Sequence, residues 1–288
     1  MPGQSTYLAF LKPLSTPSQS LPMAELADVF RQVGVSQLKQ VIASGTIEFS
    51  CSLPVQETET ILNQSLLSLY GDKYRLVVYQ RDEVYERIAN YNIFMMCEAP
   101  CADAFRELPE GYSFRLCRPD ELGLWKQTAV EPVYSDALSE YFMDVYAGYP
   151  DEFFSRCTFV VDQYDRAVAT CFIWKAYRLI DTIAFLRVLP SHENLGIGRA
   201  LLGKVIQSAS LPVYLHTHPT SYRAIKLYAD FGFCFIDDPV LGTRTNNLYE
   251  SLDFLKKVMP QSAIEGIAIK SAPEPFLEAV GSSPKSEF

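Results

Sequence analysis

The chain has 288 residues, of which 48% are hydrophobic and 20% charged, and its net charge is −9. At roughly 100–200 residues per domain, that length predicts two domains, or one large domain with an extension. The acidic balance argues against a general nucleic-acid binder or a membrane-surface protein, both of which need basic surface. With 18 Phe and 17 Tyr, most of the chain has the material for a core. No run approaches the roughly 20 apolar residues of a membrane span.

Met1-Pro2-Gly3-Gln4-Ser5-Thr6 lacks the basic-then-apolar order of a secretory signal. The seven cysteines are odd in number and scattered, which predicts reduced, buried thiols. Cys97 and Cys101 lie four apart with no second Cys/His pair, so no metal is expected. The expected location is the cytoplasm.

In chain order, the Ser- and Pro-rich first 22 residues (Pro13, Pro17, Pro22) read as an irregular lead-in. From Ala24 to Ser44, Leu26, Val29, Phe30 and Val33, then Leu38, Val41 and Ile42 after Gly34, predict two short helices. Strands follow at 46–52, 74–80 and 92–97, with helices at 56–70 and 82–91. Pro100, Pro109 and Gly111 mark a linker. A second unit opens at Tyr112, with a strand at 114–117 and helices at 120–130 and 135–147. Strands at 157–162, 167–176 and 179–188 lead to a glycine-bearing loop and a helix at 198–209. A strand at 212–217, a helix at 220–231 and a strand at 233–237 come next. Asn247 to Glu250 reads as a last strand, 251–259 as a helix, and the chain after Pro260 as a tail with a mobile polar end. The expected division is 1–105, 106–260 and a C-terminal tail, 261–288.

One internal repeat is present. Thr46, Ile47, Phe49, Leu53, Pro54 and Glu57 align without gaps on Thr182, Ile183, Phe185, Leu189, Pro190 and Glu193. Thr60 and Leu62 stand opposite Gly196 and Gly198. The first unit therefore reads as a partial copy of the second that lacks its glycines.

Those glycines lie in Val188-Leu-Pro-Ser-His-Glu-Asn-Leu-Gly-Ile-Gly-Arg-Ala-Leu-Leu202, where a strand runs through a loop into a helix. A helix start offers unpaired N–H groups and a partial positive charge, which suit a phosphate or pyrophosphate. The pattern is not the dinucleotide fingerprint, because Leu201 stands at its third glycine, and no Gly-Lys-Ser/Thr makes it a P-loop. A glycine-bearing helix start with no ligand is the bland reading. A second segment, Val213 to Phe233, ends in Tyr228-x-x-x-Gly232-Phe233.

Together, in this order and spacing, the two segments resemble the GNAT superfamily of acetyl-CoA-dependent N-acyltransferases. That family's patterns are Gln/Arg-x-x-Gly-x-Gly/Ala and Asn-x-x-Ala-x-x-x-Tyr-x-x-x-Gly-Phe. The resemblance covers about Tyr112 to Glu250. It departs at Glu193, in the Gln/Arg position, and at Ser221, in the Asn position. The implied fold is α/β (α+β): a GNAT-like mixed central sheet flanked by helices, preceded by a smaller, related, degenerate α/β half-domain.

The resemblance implies acetyl transfer from acetyl-CoA to a primary amine, on a small molecule or peptide, by direct attack in a ternary complex. It makes Tyr228 the general acid for the leaving thiolate, against the plainer role of a core aromatic. It places the cofactor on Leu186, Arg187 and Val188, on Glu193, Asn194, Leu195, Gly196, Ile197, Gly198 and Arg199, and on Ser221. His216 and His218 are candidates for a base or substrate contact by proximity, with loop hydrogen bonding as the plainer reading. Asp181 and Glu193 are further base candidates by location only. A non-catalytic acyl-CoA-binding regulatory protein is the alternative. A helix-turn-helix reading of Leu26 to Ser36 is disfavoured by the excess of acids over bases in that half. Nucleic acid and membrane are not expected partners, and a homodimer is left open.

Overall fold

The computed structural model describes residues 4–14, 21, 23–41, 45–282 and 286–287. Pro17, Pro22, Ile42 and Ser44 lie outside the described residues. The first elements are β1 (Ser5–Pro13), α1 (Met23–Gln32), β2 (Ser36–Gln40), β3 (Thr46–Cys51), α2 (Val55–Tyr70), β4 (Tyr74–Gln80), α3 (Arg81–Glu86) and β5 (Ile93–Cys97). Then come β6 (Tyr112–Leu116), α4 (Leu122–Ala129), α5 (Ser135–Val145), α6 (Pro150–Arg156), β7 (Thr158–Asp162), β8 (Ala167–Ala176) and β9 (Ile180–Val188). They are followed by α7 (Ile197–Ile206), β10 (Val213–Thr217), α8 (Tyr222–Asp230), β11 (Cys234–Ile236), β12 (Val240–Leu241) and β13 (Arg244–Thr245). The chain closes with α9 (Leu248–Val258), α10 (Gln261–Glu265), β14 (Ile269–Lys270) and α11 (Glu274–Gly281).

These elements form two compact units. One comprises residues 1–93, 217–229 and 247–268; the other comprises 94–216, 230–246 and 269–288. Each unit thus draws on several stretches of chain, so a single linker at 98–111 does not divide them.

The first unit holds an antiparallel sheet of order β2-β3-β1-β4. With α1 and α2 as its crossovers, the order of elements is the split βαβ of ferredoxin-like folds. Strand β1 was not expected. Tyr7 to Leu11 are all buried, so the run lacks the alternation that betrays a strand with one wet face. Tyr7, Ala9 and Leu11 join the core that includes Leu26, Val29 and Phe30 of α1 and Leu62 and Leu66 of α2. Phe10 points the other way and meets Phe254 of α9 edge-on, with centroids 5.1 Å apart. The sheet is therefore covered on both faces.

Two further expectations are corrected here. Residues 36–40 form strand β2 rather than a second helix. Gly34 adopts φ +76 and stops α1, and Gln37 adopts φ +55 where the pairing with β3 slips register. Residues 247–250 open helix α9 rather than a last strand: Ser251 N–H bonds to Asn247 O at 3.0 Å, and Leu248, Ser251 and Leu255 share its buried face.

The second unit is built on a mixed sheet of eight strands, in the order β14-β11-β5-β10-β9-β8-β7-β6. Strand β5 forms where the sequence predicted it, yet it pairs antiparallel with β11 in this sheet. On one face, Trp125 of α4 sits among Phe142, Tyr146, Phe153, Phe172 and Phe185, its ring 4.9 Å from that of Phe153. Helix α7 packs on β7, β8 and β9. The chain after Pro260 is more ordered than expected. Strand β14 extends the sheet beside β11, and Phe276 of α11 stacks on Tyr214 at 4.3 Å.

The internal repeat keeps its strand-to-helix step in both units, but the helix begins at Val55 in one and at Ile197 in the other. Thr60 and Leu62 consequently fall inside α2 rather than at a helix start.

One ion-pair cluster fixes the edge of the second unit's sheet. Glu121 accepts from both nitrogens of Arg115, at 2.7 and 2.9 Å, and from Arg118 at 2.9 Å. The Arg115 hydrogen bonds lead in holding its carboxyl down, from 4.5 to about 2. A depressed carboxylate contributes stability above its unfolded pKa and loses it as pH falls through its folded pKa. Glu121→Gln is expected to lower stability at neutral pH and to flatten the loss between about pH 4.5 and 2. Urea midpoints measured across that range check it; parallel curves for both proteins would contradict the coupling.

Candidate active site

The second unit brings most of the expected cofactor residues to one strand and the loop that follows it. Strand β9 pairs along one edge with β8, from Ala176↔Ile180 to Ala169↔Val188. The register slips between Thr170 and Phe172, opposite Phe185, which adopts φ +51. Along its other edge, β9 pairs with β10 only at Val213↔Asp181 and Tyr214↔Thr182, among the described residues. Both strands continue past that point, β9 to Val188 and β10 to Thr217. Beyond the slip, Leu186, Arg187 and Val188 are half-buried, whereas Asp181, Thr182 and Ile183 are buried. The second half of β9 therefore offers backbone groups along an open edge, which an extended ligand can complete.

Pro190 to His192 make one 3-10 turn, and the chain then reaches α7 through Asn194 at φ +63 and Gly196 at φ +85. Left-handed backbone at Gly196 costs a glycine little and any other residue more. Asn194, Leu195 and Gly196 are exposed. Ala200 N–H bonds to Gly196 O at 3.1 Å, closing the first turn of α7. The N–H groups of Ile197, Gly198 and Arg199 precede it and have no acceptor within the helix. An open strand edge thus leads to a helix start of positive polarity.

The charged side chains here have structural partners. Arg187 Nη1 donates to the carbonyls of Thr128 and Val130, at 2.9 and 3.0 Å, where α4 ends. Burial lowers the pKa of its guanidinium, while the charges of Glu131 and Glu193 oppose that shift. Glu193 itself is half-buried. Arg199 reaches Asp230, at 2.5 Å, and lies over the ring of Phe231.

Asp181, considered as a base, does not suit that role. It is buried at the start of β9, 2.7 Å from Lys175, and accepts from Ser210 N–H at 2.6 Å. At about 3.3 Å per residue, Val188 is roughly 20 Å further along the strand. Asp181 lines a groove of about 550 Å³ with Arg156, Lys175 and Lys204. Two of those cations already pair with Glu152 and Asp181, so the groove has little charge left for an anion.

Ser221 and Tyr228 belong with the first unit, on the 3-10 turn Pro219–Ser221 and on α8. Ser221 is half-buried and Tyr228 is 6% exposed. Its neighbour on that helix, Tyr222, donates its hydroxyl to Leu11 O at 3.2 Å. His218 Nδ1 lies 2.9 Å from Tyr91 O, while His216 packs on Phe94 with ring centroids 5.0 Å apart. Among the described residues, no group of three His, Cys, Asp or Glu could hold a metal ion, and no helix is long and apolar enough to cross a membrane.

Arginine 187 should matter for stability. Arg187→Leu is expected to cost about 1–3 kcal/mol, because it strands the carbonyls at the end of α4. Chemical denaturation checks this, and an unchanged midpoint would mean that water replaces the guanidinium.

Comparison with known proteins gives two family matches, the second of which takes in residues 217–229 of the first unit. Residues 4–98 match a family described as a protein of unknown function (DUF1697). No curated protein matches the chain. Among solved structures, a GCN5-related N-acetyltransferase from Sphaerobacter thermophilus is similar at 20% identity and a TM-score of 0.38, over 50% of this chain and 48% of that one. The chain thus spans about half the length of that relative. An acetyltransferase of the GNAT family from Staphylococcus aureus Mu50 aligns at 16% identity and a TM-score of 0.30, over 41% of this chain and 81% of that one. A functionally unknown conserved protein from Staphylococcus epidermidis aligns at 12% identity and a TM-score of 0.35, over 75% and 78%. Residues 127–233, which run from the end of α4 through the glycine loop to Gly232-Phe233, match the acetyltransferase (GNAT) family.

Proposed function

We propose that this chain moves an acetyl or another short acyl group from a CoA thioester to a primary amine, on a small molecule or peptide. The observation that carries the proposal is the open edge of β9 leading directly to the N-terminus of α7. A pantetheine arm is an extended chain of amides and can hydrogen-bond to Leu186–Val188 as a strand would. The pyrophosphate that ends the arm meets the N–H groups of Ile197, Gly198 and Arg199 and the positive end of the helix dipole. A carboxylate at Glu193 would repel phosphate if it faced the loop, so the backbone N–H groups must carry the binding.

In this reaction the neutral amine attacks the thioester carbonyl carbon, and the carbon–sulfur bond breaks. A backbone N–H near Val188 would polarise the carbonyl oxygen. The amine gives up a proton, and the thiolate takes one. By the family resemblance, Tyr228 donates to the thiolate, since a phenol of pKa near 10 is matched to a departing thiol. His216 and His218 are the candidates for accepting the amine proton. Acyl-CoA binding without turnover is a second reading, favoured by Glu193 and Ser221 where the family has Gln/Arg and Asn.

Calorimetric titration with acetyl-CoA is expected to give micromolar binding in the native protein and none in Gly198→Glu, which adds bulk and charge at the helix start. Full affinity in that variant would refute the loop assignment. Tyr228→Phe is expected to keep CoA affinity and to lower turnover on an amine panel, read as thiol release, by roughly a hundredfold. Binding by the native protein with no thiol release would favour the second reading.

A further inference from the structure

We infer that the N-terminal sheet acts as a positioning scaffold for residues 218–228, with Tyr222 as the positioning residue; this rests on the role proposed for Tyr228. Four contacts within the first unit tie that segment to residues distant in sequence. The Tyr222 hydroxyl donates to Leu11 O on the central strand β1, at 3.2 Å, and the residue is 2% exposed. Its ring meets Phe10 edge-on, with centroids 6.1 Å apart. His218 Nδ1 lies 2.9 Å from Tyr91 O, at the turn before α8. Gly45, which adopts φ +84, lies against Arg223, and a Cβ there would meet the guanidinium nitrogen Nη2.

The contacts differ in kind and converge on one turn. The ring of Tyr222 fixes how far α8 stands from the sheet, and its hydroxyl fixes the rotation of the helix. His218 holds the turn that leads into the helix, and Gly45 leaves room for the side chain that follows Tyr222. Tyr222 and Tyr228 are six residues apart and both buried. A rotation at the first is therefore carried along the rigid helix to the second. The main chain of β1 accepts the hydrogen bond, so the strand's place at the centre of its sheet sets the position of the helix. On this inference, the DUF1697-like segment supplies the geometry of the acid rather than an activity of its own.

The test is a double-mutant cycle in the full-length protein, with kcat, KM for acetyl-CoA, CoA affinity and thermal unfolding measured for each member. Tyr222→Phe keeps the ring and removes only the hydroxyl. It is expected to lower kcat about tenfold, since a misplacement near 1 Å can cost up to a hundredfold, while KM and CoA affinity hold. Combined with Tyr228→Phe, it is expected to add nothing, because a residue that acts through Tyr228 has no effect once that phenol is gone. Native kcat in Tyr222→Phe, or a double variant slower than Tyr228→Phe by the full factor, would overturn the inference. If Tyr228→Phe turns over like the native protein, the acid assignment itself falls and the inference falls with it.

Discussion

The second unit depends on how little of β9 is paired on one side. A central strand normally satisfies its backbone along both edges, and an unmet N–H or C=O in a buried setting costs about as much as a lost hydrogen bond. Here, among the described residues, β9 is paired to Val188 on the β8 side but only to Thr182 on the β10 side. The eight-stranded sheet therefore contains an internal edge. Edges of this kind are usually covered, charged or shortened, because they invite another chain to pair. Beside this edge the pairing with β8 slips at the left-handed residue Phe185, and Arg187 ties the strand to the end of α4. The helix start at Gly196 supplies the complementary feature, a set of donors with no internal acceptor. Backbone demand on a strand and on a helix end is thereby directed to one stretch of chain.

A different constraint governs the first unit. Strand β1 is buried from Tyr7 to Leu11, so its sheet needs cover on both faces. Helices α1 and α2 supply one face. Phe10 and Tyr79 on the other face meet Phe254 of α9, and Phe10 also meets Tyr222 of α8. Beyond α1 and α2, residues 1–93 hold only the short helix α3 (Arg81–Glu86) among the described α-helices. The unit buries that face with chain from beyond residue 216, which is why its membership is discontinuous. Covering the sheet and placing α8 are the same physical event.

The elements around the loop were legible because local chemistry decides them. Ile180–Val188 is rich in β-branched and aromatic residues, Gly196 and Gly198 break the pattern, and the apolar spacing after them is helical. The glycine loop could be read as a helix start from sequence, and the structure adds the left-handed turn at Asn194 and Gly196. What escaped the sequence depended on distant partners. Strand β1 shows no alternation because both its faces are covered by segments far away in the chain. Residues 36–40 carry a helical spacing that the pairing with β3 overrides. Strand β14 has only two residues and exists because β11 offers an edge. The side chains of Arg187 and Arg199, which look like phosphate ligands by position, are drawn to carbonyls and to Asp230 by groups that no local motif reveals.

That diversion of cations bears on the loop's departure from the GNAT pattern. A Gln or Arg at position 193 would bring a donor or a positive charge to the phosphates, and this chain has Glu193 instead. With Arg187 facing carbonyls and Arg199 paired to Asp230, neither nearby arginine makes up the difference directly. On the proposed function, binding of a pyrophosphate rests on backbone N–H groups and the dipole of α7, whose favourable effect on an anion falls off within the first turn. Such a site is less sensitive to salt than one built on arginines, because fewer mobile charges are matched, and more sensitive to the shape of the turn. The left-handed residues at Asn194 and Gly196 hold that shape. On the proposed function, the weight that Gln or Arg carries in the GNAT pattern shifts, in this chain, to the conformation of two residues.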